Sequence, residues 1–130
     1  MRSVFLFLAA LSAMLAVMLG AFGAHGLKHV LSADMLAVYK TAVTYQMWHA
    51  LGLAVIAVCR QQIDEAKLLV WAGWLMFVGI LLFSGSLYLL TLLNLKWLGM
   101  VTPIGGVAFI AAWLLLLLYA AGVGNAKTKT

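Results

Sequence analysis

Four long apolar runs, separated by short polar stretches, set the plan of this chain. The first extends from Val4 to about Gly23; its 20 residues would rise about 30 Å as a helix, one hydrocarbon thickness. The second keeps a helical pattern from Ala33 to about Cys59, with Ser32 placed to cap it and Asp34 in its positive first turn. At about 40 Å it exceeds the hydrocarbon core, so its opening part, with Met35, Val38, Tyr39 and Lys40, is assigned to the interface. The third run covers Leu68 to Leu93, with Trp71 and Trp74 near its start as interfacial aromatics. The fourth starts at Thr102–Pro103, read as a cap followed by a proline in the first helical turn, and runs to about Gly122. These runs predict an all-α integral membrane bundle of four transmembrane helices, with spans near 4–23, 41–59, 68–93 and 103–122 of a single domain.

Composition agrees. Of the 130 residues 67% are hydrophobic and only 8% charged, whereas a soluble domain carries roughly 25% charged residues. A cleaved signal peptide is the rival reading of the first run, with Arg2 as its positive region and Ala21-Phe22-Gly23 as a small-x-small site. The run is longer than the usual apolar region of roughly 7–15 residues, and cleavage would fall inside a motif described below. The net charge of +5 forms no basic stripe, so nucleic acid is not expected as a partner. Instead, Lys and Arg sit at the ends of the runs, where they set topology. Arg2, Arg60, Lys67, Lys127 and Lys129 fall on one side, and Lys28, Lys40 and Lys96 on the other, favouring both termini in the cytoplasm. The Arg60–Lys67 stretch, with Asp64 and Glu65, reads as an ordinary solvated loop. Cys59, the one cysteine, reads as a small packing residue and excludes an internal disulfide.

The stretch Tyr45-Gln46-Met47-Trp48-His49 breaks the apolar pattern. Amide and imidazole groups are expensive in lipid, so each needs a partner or a purpose. Counting from Arg60 at the inner edge, His49 lies about 16 Å deep and Gln46 about 21 Å; Ser84 and Ser86 lie about 25–29 Å from Lys67. Thr102 and the glycine-rich ends of the first and fourth runs fall in the same outer half. Tyr45, Gln46, His49, Ser84, Ser86 and Thr102 are therefore the candidate lining of a polar pocket near one face. Plainer accounts are available for each. Ser84 and Ser86 can bond back to their own helix carbonyls. His49 can be satisfied structurally by Gln46 or a serine, and His25 and His29 are read as solvated. Gly20, Gly23, Gly85, Gly105 and Gly106 are expected as notches for close helix packing, as is the stripe Gly105, Ala108, Ala112. Three histidines without clustered acids or cysteines make no metal or haem site, and no nucleophile–base pair is visible. No cofactor and no catalysis are expected.

Gly20-Ala21-Phe22-Gly23-Ala24-His25-Gly26-Leu27, Tyr45-Gln46-Met47-Trp48-His49-Ala50-Leu51, Phe83-Ser84-Gly85-Ser86-Leu87-Tyr88 and Thr102-Pro103-Ile104-Gly105-Gly106 supply one motif per run. In this order they resemble the YgdD-like family of small inner-membrane proteins, domain of unknown function 423. The resemblance implies a four-span bundle in the bacterial inner (plasma) membrane and carries no activity with it. Two functions follow as expectations. One is binding or transport of a small molecule through the polar region. The other is interaction or assembly without transport, with another membrane protein docked on the small-residue stripes; a pore of the first kind would need a homo-oligomer, because four helices make a thin bundle. Besides the lipid bilayer, these are the partners such a chain would take.

Overall fold

The computed structural model describes residues 3–63 and 66–124. Arg2, the acids Asp64 and Glu65, and the tail with Lys127 and Lys129 lie outside the described residues, so their part in the topology argument has no structural counterpart here. Helix α1, Val4–His25, is opened by Ser3, whose Oγ accepts from the Leu6 N–H. A side-chain acceptor at this position satisfies one of the orphan donors of the first turn. Helix α2, Ala33–Arg60, is opened in the same way by Ser32, which accepts from the Met35 N–H, with Asp34 in the first turn. Helix α1 stops at His25, so His25 and His29 do not share a helix face; both are exposed.

The third span is one continuous path with a fault in it. Helix α3, Lys67–Gly79, passes into a five-residue π turn, Ile80–Ser84, and then into α4, Gly85–Leu92. The Gly85 N–H donates to the Ile80 carbonyl, a five-residue step in place of the usual four. The turn coincides with a direct backbone contact between the third span and α5. A Cβ on Gly105 would collide with the Leu82–Phe83 backbone, so two main chains meet with no side chain between them. After a left-handed Asn94 (φ 56°), a 3₁₀ turn at Lys96–Met100 leads into α5, Thr102–Ala120. Pro103 lies in its first turn as expected, but Thr102 does not cap. Val101 occupies the cap position, and the Thr102 hydroxyl lies 3.2 Å from the Leu98 carbonyl behind it. The helix ends in a Schellman motif: Gly122 is left-handed, its N–H donates to Tyr119 and that of Val123 to Leu118.

All four spans are long and apolar enough to cross a membrane. Helix α1 packs along α2; the third span lies between α2 and α5. The apolar core sits toward the end that carries Arg60 and Lys67. There Phe5, Leu53, Ile56, Leu69, Met76 and Phe109 close around Ala9, Ala57, Ala72 and Ala112. Glycines make that packing possible: Gly73 receives the Phe5 ring and Gly79 the Phe109 ring, both where a Cβ would stand. Gly52 faces Trp113 and Met76 in the same manner. These three were not singled out from sequence. Of the five that were, Gly23 lies against the Tyr39 ring, Gly105 against backbone, and Gly20 tightly against Val43 (3.3 Å). Gly85 is a correction: nothing lies within 4 Å of an added Cβ, so it leaves open space and makes no close contact. Gly106 is also corrected, since only the Phe83 ring approaches, at ordinary contact distance (3.9 Å).

Candidate functional site

Gln46 is 4% exposed and sits on the face of α2 turned to α1 and α4. Its Nε2 donates to the Ser12 carbonyl of α1 at 2.8 Å, and its Oε1 accepts from the Tyr88 hydroxyl of α4 at 2.6 Å. One amide thereby joins three spans. Tyr88 in turn meets Tyr39 edge-to-face, with centroids 5.5 Å apart. Tyr39 is 1% exposed, a ring enclosed by the bundle toward the N-terminal end of α2. Its ring fills the notch at Gly23, and its hydroxyl donates to the Leu19 carbonyl one turn earlier on α1. Without a Cβ on Gly23 the ring can lie flat enough on α1 to reach that carbonyl.

Ser84, inside the π turn, is fully buried and donates to the Ala42 carbonyl of α2 at 2.7 Å. It therefore bonds across helices and not back to its own, a correction to the simpler reading. Ser86 does bond back, to Phe83 at 2.9 Å, and also meets the Thr102 hydroxyl at 2.6 Å. Each hydroxyl has one proton. The chain of contacts is thus either Thr102 to Ser86 to the Phe83 carbonyl, or Ser86 to Thr102 to the Leu98 carbonyl.

His49 faces a different neighbour. Its Nδ1 lies 2.7 Å from the Tyr45 carbonyl, an acceptor only, so Nδ1 carries the proton. The ring is 7% exposed and stacks on Phe109 of α5, with centroids 3.5 Å apart and planes within 11°. Tyr45, 42% exposed, continues the stack onto Phe83, 4.5 Å away. The His49 hydrogen bond stays within its own helix; neither Gln46 nor a serine satisfies it.

The six candidate residues therefore form three groups. Gln46 belongs to the seam between α1 and the third span. Ser84, with Ser86 and Thr102, lies where the third span meets α2 and α5. Tyr45 and His49 stack toward α5. Among the described residues, every deeply buried side-chain nitrogen or oxygen has a hydrogen-bond partner. No group of three metal-ligating side chains occurs among them either.

Of three openings among the described residues, the one that reaches a candidate polar residue lies at the first seam. A cleft of about 290 Å³ runs between α1 and the third span. Leu11, Ser12, Leu15 and Leu19 form one wall; Ile80, Leu81, Gly85 and Tyr88 form the other; Gln46 lies at the back. It begins beyond the point where Phe5 packs on Gly73 and Trp74 and draws the ends of α1 and α3 together. The π turn supplies one wall, and the missing side chain of Gly85 leaves the space unfilled. Sequence reasoning included Gln46 but missed Tyr88, Ser12 and the cleft. The available signal was the spacing of Gly85 and Tyr88, three apart and so on one helix face.

The model of a protein of unknown function, DUF423, matches residues 19–106, more than half of the chain. A UPF0382 membrane protein of Staphylococcus saprophyticus is 51% identical over 88% of this chain and 94% of its own. The UPF0382 membrane protein YwdK of Bacillus subtilis is 50% identical over 90% of this chain and 95% of its own. A UPF0382 membrane protein of Staphylococcus epidermidis is 51% identical over 88% of this chain and 93% of its own. No solved structure matches. With half its residues shared along nearly full-length relatives, and with four membrane-length helices, this chain belongs to the DUF423/UPF0382 family of multi-pass membrane proteins.

Proposed function

We propose that the protein binds a small lipophilic molecule in the cleft between α1 and the third span. The observation that carries this is the cleft itself: about 290 Å³ of space, held open by a π turn and by a glycine with nothing opposite it. Exposed Leu11 and Leu81 flank the cleft, so its mouth faces the surrounding lipid. Entry would be lateral, from the membrane. Passage through the centre of the bundle has less support, because the polar side chains there are already bonded to one another and to backbone carbonyls. The reading is of a binding protein, not an enzyme. The same reading places it in the bacterial plasma membrane with Arg60 and Lys67 on the cytoplasmic side, supported by the basic residues at that end.

The test is photolabelling in nanodiscs with a long-chain alkane that carries a diazirine. Adducts are expected on Tyr88 and its neighbours in the cleft wall, and Gly85→Leu, which fills the space, is expected to remove them. If Gly85→Leu folds normally and the adducts persist, the cleft is not a binding site.

A further inference from the structure

We infer that the cleft selects a neutral lipophile with one carbonyl or hydroxyl group on its chain, and that Gln46 and Tyr88 recognise that group. This rests on the binding reading above and goes beyond it to the ligand class. The back wall of an otherwise apolar cleft is made of an amide and a phenol. A glutamine amide has two N–H donors and an oxygen with two lone pairs. Gln46 uses one donor on Ser12 and one lone pair on Tyr88, so one N–H and one lone pair are left. Tyr88 donates its only proton to Gln46, and its oxygen keeps acceptor capacity. The pair is complete enough to hold its geometry in an empty cleft and still has a donor and acceptors to offer.

Depth decides what can use them. Gln46 stands 14 residues from Arg60 along α2, about 21 Å from the inner edge of a roughly 30 Å hydrocarbon core, and so about 9 Å below the outer edge. A phospholipid keeps its charged head at the interface and can bring only methylenes to this level. A charged group taken to Gln46 would meet no opposite charge, because the cleft is lined by leucines, an isoleucine, a phenylalanine, a glycine and neutral polar groups. A ketone, quinone or alcohol on a long apolar chain fits both constraints. It is neutral, it dissolves in the bilayer interior, and its oxygen can accept the spare Gln46 N–H while the chain follows the leucines of α1. A hydroxyl could in addition donate to Gln46 Oε1 or the Tyr88 oxygen.

Three diazirine probes of equal chain length separate the possibilities in the same nanodiscs: an alkane, the corresponding mid-chain ketone, and a phosphatidylcholine with a labelled acyl chain. In the unsubstituted protein the ketone is expected to label the cleft at lower concentration than the alkane, by on the order of fivefold, the factor that one neutral hydrogen bond supplies. Gln46→Met keeps the bulk and removes the amide; it should bring the ketone down to the level of the alkane without loss of alkane labelling. A ketone that labels no better than the alkane, or no better than the phosphatidylcholine, in the unsubstituted protein overturns the ligand class, even where Gln46→Met does not fold, and leaves the cleft standing. Loss of preference in Gln46→Met together with loss of alkane labelling overturns the role given to Gln46, because the substitution has then closed the cleft. Failure of Gly85→Leu to reduce any label overturns the cleft itself.

Discussion

Gly105 and Gly106 are neighbours in the first turns of α5, and the structure gives them opposite roles, so the same substitution should have opposite effects. A Cβ added to Gly105 collides with the Leu82 and Phe83 backbone, whereas one added to Gly106 meets only the edge of the Phe83 ring at 3.9 Å. Both Gly→Ala changes gain helix propensity, worth about 1 kcal/mol in water. Its value in lipid is not needed, because it cancels between two adjacent sites. What remains is the cost of overpacking at Gly105, typically about 1–3 kcal/mol, and more where the clashing atoms belong to backbone held on both sides. Here the backbone is the π turn, tied to α2 by the Ser84 bond to Ala42. Gly105→Ala is therefore expected to be less stable than Gly106→Ala by about 1–3 kcal/mol, roughly 5- to 150-fold in the unfolding equilibrium. Reversible unfolding in mixed micelles, followed by tryptophan fluorescence, measures the difference. Equal stabilities for the two variants would refute the claim that main chains meet at Gly105.

Gly23→Ala pushes the Tyr39 ring from its notch and lengthens its bond to Leu19; a loss of about 1–3 kcal/mol is expected in the same unfolding assay. Ser84→Ala removes one interhelical hydrogen bond without leaving a charge, so a loss of about 0.6 kcal/mol, and no more than about 2, should be measured. Gln46→Leu should cost more, about 1–3 kcal/mol, because the Tyr88 hydroxyl is left without its acceptor inside the bundle. His49→Phe keeps the stack on Phe109 and should change stability by less than about 1 kcal/mol, since the Tyr45 carbonyl is on a helix that already offers it a backbone donor. His49→Ala, which loses the ring, should be destabilised further, by more than the roughly 0.5–1.5 kcal/mol that a stacked pair adds beyond its buried area, and a larger effect of Phe than of Ala would contradict the stacking role.

Length and hydropathy carried most of the architecture, because a bilayer leaves few ways to satisfy a backbone. The capping serine at Ser32 and the start of α5 at Thr102–Pro103 were legible for the same local reason: they depend on a few adjacent residues. Helical rise alone gives the expected order of Gln46, Ser84 and His49 along the spans. Which partner each would choose does not follow from it, because that depends on rotation about the helix axis. Gln46 and His49 are three residues apart, about 60° around the helix, and that angle is enough to send them to different seams. The π turn was invisible. It inserts one residue into a run of Ile80, Leu81, Leu82 and Phe83 whose composition is that of any apolar helix. The glycines were visible as glycines, but Gly85 and Gly105 differ only in what stands opposite, a fact of the third dimension.

The bundle is held in two ways, and the difference bears on how the cleft beside α1 is built. Toward Arg60 the spans meet through rings seated on glycines: Phe5 on Gly73 and Phe109 on Gly79. In the other half the Tyr39 ring on Gly23 and the backbone contact at Gly105 are joined by side-chain donors aimed at main-chain carbonyls: Tyr39 to Leu19, Gln46 to Ser12, Ser84 to Ala42. Lipid removes the hydrophobic drive between helices, so contacts of these two kinds must do the holding. Helix α1 takes part in the second kind only as an acceptor, through backbone oxygens that every residue possesses. Its own side chains are then free to be plain leucines that form a cleft wall. That is why the first apolar run reads as the least informative part of the chain although it supplies one wall of the candidate site, and why substitutions in α1 that keep apolar bulk at Leu11 and Leu15 should alter what the cleft accepts before they alter whether the protein folds.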